Sequence, residues 1–562
     1  MRAARSILRH IGLPLVLIFH IWLATQVVPL WRYQMNPDGV GYLSVARKYL
    51  DGHFFDAINA YWSPLYSWLL VPLLAVGIHG LLATKVLAVA IGAGVLCVVW
   101  WILGNLRLTR EARTVTCLTL VPILLYFGMY VTTPDLLVAG AVLFYLGQMT
   151  RPNYERWRHS RTLSGALAGV AYLAKAYALP VVFAHFTLVN LIDLARLKGM
   201  RKQVLVRAAY GYAAFLIIVG FWAGALSIKY GHLTTGSTGR FNLAWNGPQF
   251  RIPHHFGGFV APPDELAISG WDDATFYDVA RWDPLGSDAQ REHFRKNRER
   301  NYKNIVAINE GFTWLMWPIL IGAAVACFSG ADPQPRRPTF ILLSVLLLYP
   351  VGYYFLHVEQ RFLMVTCVLL LVLGVFLIGA TGNAFDFGPV RRVLASGALC
   401  ATFLYNPKWD PAAQPWAKAF ERYSLFLAAP HQADISQIAG RLAGDMPPRS
   451  RVASSDNWGG TLYVSYLLDL AYWGQGKPNH TPEEVLADLE KCEIDYFWVW
   501  GDNPAARYPF VNRLPEITGG KVRNLRIYRF IPSSATQPAD AGARREIRST
   551  KFEGRINDRM TQ

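Results

Sequence analysis

The chain has 562 residues, 53% hydrophobic and only 17% charged, with 55 Lys and Arg against 38 Asp and Glu for a formal net charge of +17. A soluble globular chain carries about 25% charged residues. An ordinary soluble protein is therefore excluded, as is a soluble nucleic-acid binder, which would be richer in charge and poorer in Leu, Val, Trp and Phe.

Apolar runs of about 20 residues, each long enough to cross ~30 Å of hydrocarbon, recur through most of the chain and predict an α-helical multi-pass membrane protein with about 11–13 transmembrane helices. Arg2, Arg5 and Arg9 precede the first run, Ile11 to Leu30, which no clean small-residue cleavage site follows, and it reads as a retained helix. Further spans are expected at 64–79, 82–103, 114–131, 135–149, 162–180, 181–196, 203–229, 312–330, 339–356, 362–380 and 392–406.

The short loops between them are basic: Arg107, Arg110 and Arg113; Arg151, Arg156, Arg158 and Arg161; Arg196, Lys198, Arg201 and Lys202; Arg336 and Arg337; Arg391 and Arg392. By the positive-inside rule they face the cytoplasm, as does the N-terminus. The two long loops, 32–63 with three basic and three acidic residues and 230–306 with nine of each, sum to zero and belong outside. Segments 64–79 and 82–103 then supply only one net crossing, and the short 64–79, opened by Pro64 and interrupted by Pro72, is expected to be the irregular one. Residues 1–406 thus form a membrane domain in a plasma (inner) membrane.

After residue 407 the apolar runs shorten and Pro, Asp, Asn and Arg enter. A helix is expected at 431–444, stopped by Pro447 and Pro448, and another after Thr481-Pro482-Glu483-Glu484, which has the form of a capping box. Strands are expected at Tyr496–Trp500 and Asn524–Ile531. Residues 407–535 read as a small extracytoplasmic α/β domain with an acceptor-facing or structural role, and the Arg-rich 536–562 as a disordered tail. Of six cysteines, five lie in apolar segments and only Cys492 in a polar region, so neither a disulfide framework nor a CxxC metal site follows.

Ionisable residues at membrane boundaries mark candidate chemistry. In NPDGVGYLSVARKYLDG, Asp38 stands a few residues past the first span, followed by Tyr42 at helical spacing and by the aromatic cluster Tyr61-Trp62-Ser63-Pro64-Leu65-Tyr66. Asp38 either caps a helix starting near Gly39 or serves as a base that deprotonates an acceptor hydroxyl, beside rings suited to sugar faces. Asp135, in VTTPD, has the same two readings, with capping favoured by Thr133 and Pro134. In LHVEQRF, His357, Glu359 and Arg361 fall between two spans, and Arg361 suits either an anionic head group or a pair with Glu359. Lys175 sits mid-segment among apolar neighbours, a sign of a polar cavity. The long loop adds Arg240 and then Arg251, His254 and His255, whose spacing alone makes no metal site.

In this order, the first-loop Asp38 with GYLSVARKYLDG, the WSPLY segment, TTPD, GVAYLAKAYALP and HVEQRF resemble the GT-C-type glycosyltransferases that use polyprenyl-phosphate-linked sugars, the superfamily of protein mannosyltransferases and lipid A aminoarabinose transferases. The resemblance spans about residues 1–380. It implies an inverting transfer to an acceptor hydroxyl on a glycan, lipid or protein, with Asp38 as general base and Asp135 a second catalytic carboxylate. It further implies Arg361, with Arg240 or Lys175, on the donor phosphate, and Tyr42, Tyr61, Trp62, His357 and Glu359 around the substrates. Some relatives carry an acidic pair where Asp38 is followed by Gly39; that departure weighs against a metal-assisted variant, and a divalent cation stays open. The competing classes are a transporter or flippase of lipid-linked sugars and a non-catalytic membrane scaffold.

Overall fold

The structure is a computed structural model, and it describes residues 2–248, 257–277, 282–328, 333–405 and 432–530. Arg251, His254, His255 and the charged tail 536–562 lie outside the described residues. The chain divides into two compact units, one of residues 1–223, 235–251 and 278–433, the other of 224–234, 252–277 and 434–562.

The first unit is helical throughout. In chain order it contains α1 (Arg2–Trp31), α2 (Pro37–Leu50), α3 (Phe54–Ala57), α4 (Pro64–Ala75), α5 (Gly80–Asn105), α6 (Arg110–Tyr130), α7 (Asp135–Met149), α8 (Ser160–Ala174), α9 (Ala178–Arg196) and most of α10 (Arg201–Tyr230). Then come α11 (Thr238–Trp245), α12 (Asp288–Phe312), α13 (Met316–Phe328), α14 (Pro333–Leu348), α15 (Val351–Phe355), α16 (Met364–Ala384) and α17 (Pro389–Leu404). Among the described residues, seven helical stretches are long and apolar enough to cross a membrane, or eight if α12 and α13, bent by 93°, count as one span. The chain is a membrane protein. Fewer helices pass that length test than the sequence runs suggest because α7 and α8 have 15 residues and α17 has 16. At 12 residues α4 rises only about 18 Å at 1.5 Å per residue, too short to cross.

One expected helix is broken. The spans read as 162–180 and 181–196 divide at 175–177 instead, where Lys175 is extended (φ −157°, ψ 125°). Pro180 explains the shift: in a continuous helix its ring would strike the carbonyl of Ala176, whereas in the first turn of α9 it is tolerated. Lys175 is therefore at a helix end and not mid-segment.

The helices α7, α8 and α14 are tied together at the end away from Asp135 and Lys175. Arg161, fully buried, donates through Nε to Asn190 Oδ1 and through Nη2 to Asp193 Oδ2, both at 2.8 Å. Arg337 reaches the same Asp193 at 3.3 Å, Glu155 at 3.2 Å and the Met149 carbonyl at 2.7 Å. The basic loop residues are thus partly structural.

The second unit is built on a four-stranded sheet of order β2-β1-β3-β4, with β1 (Arg451–Ser454), β2 (Ala471–Gln475), β3 (Tyr496–Trp500) and β4 (Leu525–Arg529). β1 is parallel to both β2 and β3, and β3 is antiparallel to β4. Around it lie α18 (Ala433–Leu442), α19 (Trp458–Leu467), α20 (Pro482–Lys491) and the short α21 (Pro504–Arg507). The capping box at α20 forms, with Thr481 and Glu484 bonded reciprocally. Phe497 and Val499 of β3 bury one face against Val485, Leu489, Ile494 and Val511. The long segment read from sequence as one outer loop is split between the units. Residues 257–277 run along the free edge of β2, with Val260 N donating to Trp473 O and Tyr472 N to Ile268 O, both at 2.6 Å, and so cover an edge that would otherwise be open to pairing.

Replacing Arg161 by Met leaves the buried Asp193 with Arg337 as its ionic partner, so the loss falls below the about 3–5 kcal/mol of a buried charge left wholly unpaired. A clearly lowered thermal unfolding midpoint of the purified protein is the expected result, and an unchanged midpoint would contradict the structural role of Arg161.

Candidate functional site

Asp38 is placed by the way α2 begins. Pro37 opens the helix with its φ already suited to it, and Asn36 ahead of it accepts a hydrogen bond from the Thr132 backbone N–H at 2.8 Å. No side-chain cap bond is made at this end. The Asp38 carboxylate instead accepts from Arg361 Nη1 at 2.9 Å, across 323 residues of chain. Gly39 lies against the same Thr132: a methyl there would stand 2.6 Å from Thr132 Cβ and 2.9 Å from its carbonyl oxygen. No acidic side chain fits beside Asp38, which gives the Gly39 departure a steric reason.

Asp135 is the first residue of α7, and its carboxylate also does something other than cap. Oδ1 accepts from Lys175 Nζ at 2.5 Å and Oδ2 from Thr133 Oγ1 at 2.6 Å. The side chain is 5% exposed. The break at 175–177 makes Lys175 the C-cap of α8, its N–H still donating to Ala171 O at 3.1 Å while its side chain reaches the start of α7.

Arg361 completes the cluster. Its Nε donates to Glu359 Oε2 at 2.7 Å and stands 3.9 Å from Asp135 Oδ2, while Nη1 holds Asp38. Three carboxylates from three segments therefore surround one guanidinium, with Lys175 on the far oxygen of Asp135. His357 Nε2 is 3.2 Å from Glu359 Oε1, and both side chains are nearly half exposed. Burial by itself raises the Glu359 carboxyl, but the Arg361 charge and the hydrogen bonds from His357 and Arg361 outweigh it and bring it down to about 2. Glu359 is thus ionised at neutral pH, and this interaction is in place above the ordinary carboxylate range and lost only as the pH falls toward 2.

Aromatic rings pack around these charges. Tyr177 stacks on Tyr353 at 3.7 Å and Tyr353 on Phe362 at 5.0 Å, while Lys175 Nζ sits 4.2 Å from the Phe362 centroid. Tyr42 and Trp62 are buried and pack on each other at 5.0 Å, with Tyr66 against Tyr42 and Tyr61 against Trp62. Burial, and then the charge of Asp38, pushes the Tyr61 phenol up, so it stays neutral. These rings serve first as the wall that holds Asp38. Arg240 is exposed on α11, a helix joined to the first loop by Ser237 N to Ala60 O at 2.7 Å and Thr238 Oγ1 to Tyr61 O at 2.9 Å.

Asp38, Asp135, Lys175, His357, Glu359 and Arg361 thus come together. Among the described residues no group of three or more His, Cys, Asp or Glu side chains is arranged to hold a metal ion. The site offers carboxylates able to accept a proton and two cations with hydrogens to spare: the guanidinium has five N–H donors and the ammonium three. Sequence reading missed Asn36 and Lys85. Lys85, fully buried, donates to Met129 O and Thr132 Oγ1; the signal was a lone Lys in an apolar run.

No protein-family model matches the chain, and no curated protein matches it in sequence. Solved structures do. ArnT from Cupriavidus metallidurans, bound to undecaprenyl phosphate, superposes with a TM-score of 0.53 at 14% identity, covering 92% of this chain and 99% of that one. The Archaeoglobus fulgidus oligosaccharyltransferase in its apo form gives 0.55 at 10% identity over 88% and 70%. AglB of that organism, with an inhibitory peptide and a dolichol-phosphate, gives 0.50 at 11% identity over 87% and 69%. The chain thus has the fold of the GT-C-type membrane glycosyltransferases.

Proposed function

We propose that the protein is an inverting glycosyltransferase that moves a sugar from a polyprenyl-phosphate carrier to an acceptor hydroxyl on the extracytoplasmic side of the membrane. The observation that carries this is the convergence of Asp38, Asp135, Lys175 and Arg361, far apart in sequence, on one cluster. In the reaction the acceptor oxygen bonds to the anomeric carbon as the bond from that carbon to the phosphate oxygen breaks. Its electron pair leaves with the phosphate, and the acceptor proton passes to Asp38. Phosphate is a good leaving group, so one base and cations for the developing charge suffice. Arg361 and Lys175 supply those cations, sharing them between the carboxylates and the phosphate, and Asp135 keeps Lys175 in place.

An apolar cavity of about 470 Å³ in the helical unit, lined by Ile305, Met316, Leu320, Leu346, Val351 and Phe355 among others, supports a place for the prenyl tail. It reaches α15, which leads directly to the His357–Arg361 turn. The undecaprenyl phosphate bound by ArnT and the dolichol-phosphate bound by AglB favour the same class of carrier. The sidedness rests on the basic short loops and neutral long loops, which put the N-terminus in the cytoplasm and the site and the α/β unit outside.

Two variants test this on purified protein with a panel of polyprenyl-phosphate-linked hexoses and pentoses. Asp38→Asn is expected to lower kcat by about 10²–10⁴-fold, the span of a lost general base, while undecaprenyl phosphate still binds; full activity would remove the mechanism. Lys175→Met is expected to weaken undecaprenyl phosphate binding about tenfold or more, the loss of one charge-assisted hydrogen bond. Unchanged affinity in a binding titration would take Lys175 off the phosphate.

A further inference from the structure

The start of α2 and the turn before α7 meet at Thr132, and Lys85 lies beneath that meeting point. It occupies the second turn of α5, is fully buried, and its Nζ donates to Met129 O at 2.9 Å and to Thr132 Oγ1 at 3.3 Å. Both acceptors are uncharged. An ammonium in such a place is costly, and an apolar side chain of equal length would fill the space without that cost. What Lys adds is its donors.

Their targets define what they hold. Met129 belongs to the last turn of α6, where carbonyls lack intrahelical partners and a cation is favoured by the helix dipole. The chain then turns through residues 131–134 and enters α7 at Asp135. Thr132 in that turn donates its N–H to Asn36, packs on Gly39 and lies three residues from Asp135. One side chain therefore supports the turn that touches both acid-bearing helix starts.

We propose that Lys85 is a positioning residue of the transfer site: its two hydrogen bonds lock the 131–134 turn and so set Asp38 and Asp135 at their places around Arg361. This rests on the glycosyl-transfer function proposed above. Lys85 touches no substrate in this scheme.

The test is Lys85→Met, which keeps the length and apolar fill and removes the donors, together with Thr132→Val and the double variant, each assayed for transfer and for thermal midpoint. Lys85→Met is expected to lower kcat by up to about 10²-fold, the effect of a misplacement near 1 Å, with the thermal midpoint not worsened. A merely structural Lys85 gives the reverse, a lower midpoint with full specific activity in the folded fraction. The double variant is expected to be no slower than Lys85→Met, since both act through one contact; additive losses would overturn the route through Thr132. If Lys85→Met does not fold, Thr132→Val decides, and a wild-type kcat there overturns the inference. A wild-type protein that transfers no sugar from any donor of the panel overturns the reaction and this inference together, whereas an active wild type with an equally active Lys85→Met overturns the inference alone.

Discussion

The Arg361 guanidinium is the group on which the rest of the site depends. Asp38, Asp135 and Glu359 approach it from α2, α7 and the turn before α16, with contacts of 2.9, 3.9 and 2.7 Å. Three carboxylates so close would repel one another strongly at the low effective dielectric of a protein interior. A fixed cation between them offsets that repulsion. The planar fork also serves different partners in different directions, which an ammonium would do less specifically.

The bundle delivers these residues by ending its helices at the site. Asp135 opens α7, Lys175 closes α8, Asp38 lies in the first turn of α2, and Arg361 precedes α16. The far ends of α7, α8 and α14 are joined through Arg161, Asp193 and Arg337. Charged groups thus occupy both ends, while between them the uncharged Tyr145 and Ser344 hydrogen-bond to the buried His185 among apolar side chains, an arrangement suited to helices that a hydrocarbon layer surrounds.

Much of this was legible in the sequence. Charges stand out against apolar runs, so Asp38, Asp135, Lys175 and Arg361 were visible one by one, and the capping box at Thr481 and the alternation at 524–531 mark α20 and β4 directly. Lys85 carries the same signal as Lys175 but lies near the start of a long apolar run, whose hydropathy as a whole hides it. The break at Lys175 depends on Pro180, five residues on, and a hydropathy window does not feel a steric clash. Tyr42 and Trp62, both buried, looked free to stack on sugars because spacing shows that residues share a face but not what covers it. β1 and β2, at 4 and 5 residues, and the strip from 257 to 277 depend on pairing between distant segments, which no local pattern records.

The packing of Gly39 on Thr132 also constrains how this chain can change. Because the two residues fill one another's space, neither position can be enlarged alone, and substitutions there are coupled. A descendant that acquired a second acid beside Asp38, and with it the beginnings of a cation-binding pair, would have to make room at position 132 in the same step. Thr132 is also the acceptor for Lys85 and the donor to Asn36, so that step would disturb three contacts at once. The route from this site to one with an acidic pair is narrow for a geometric reason.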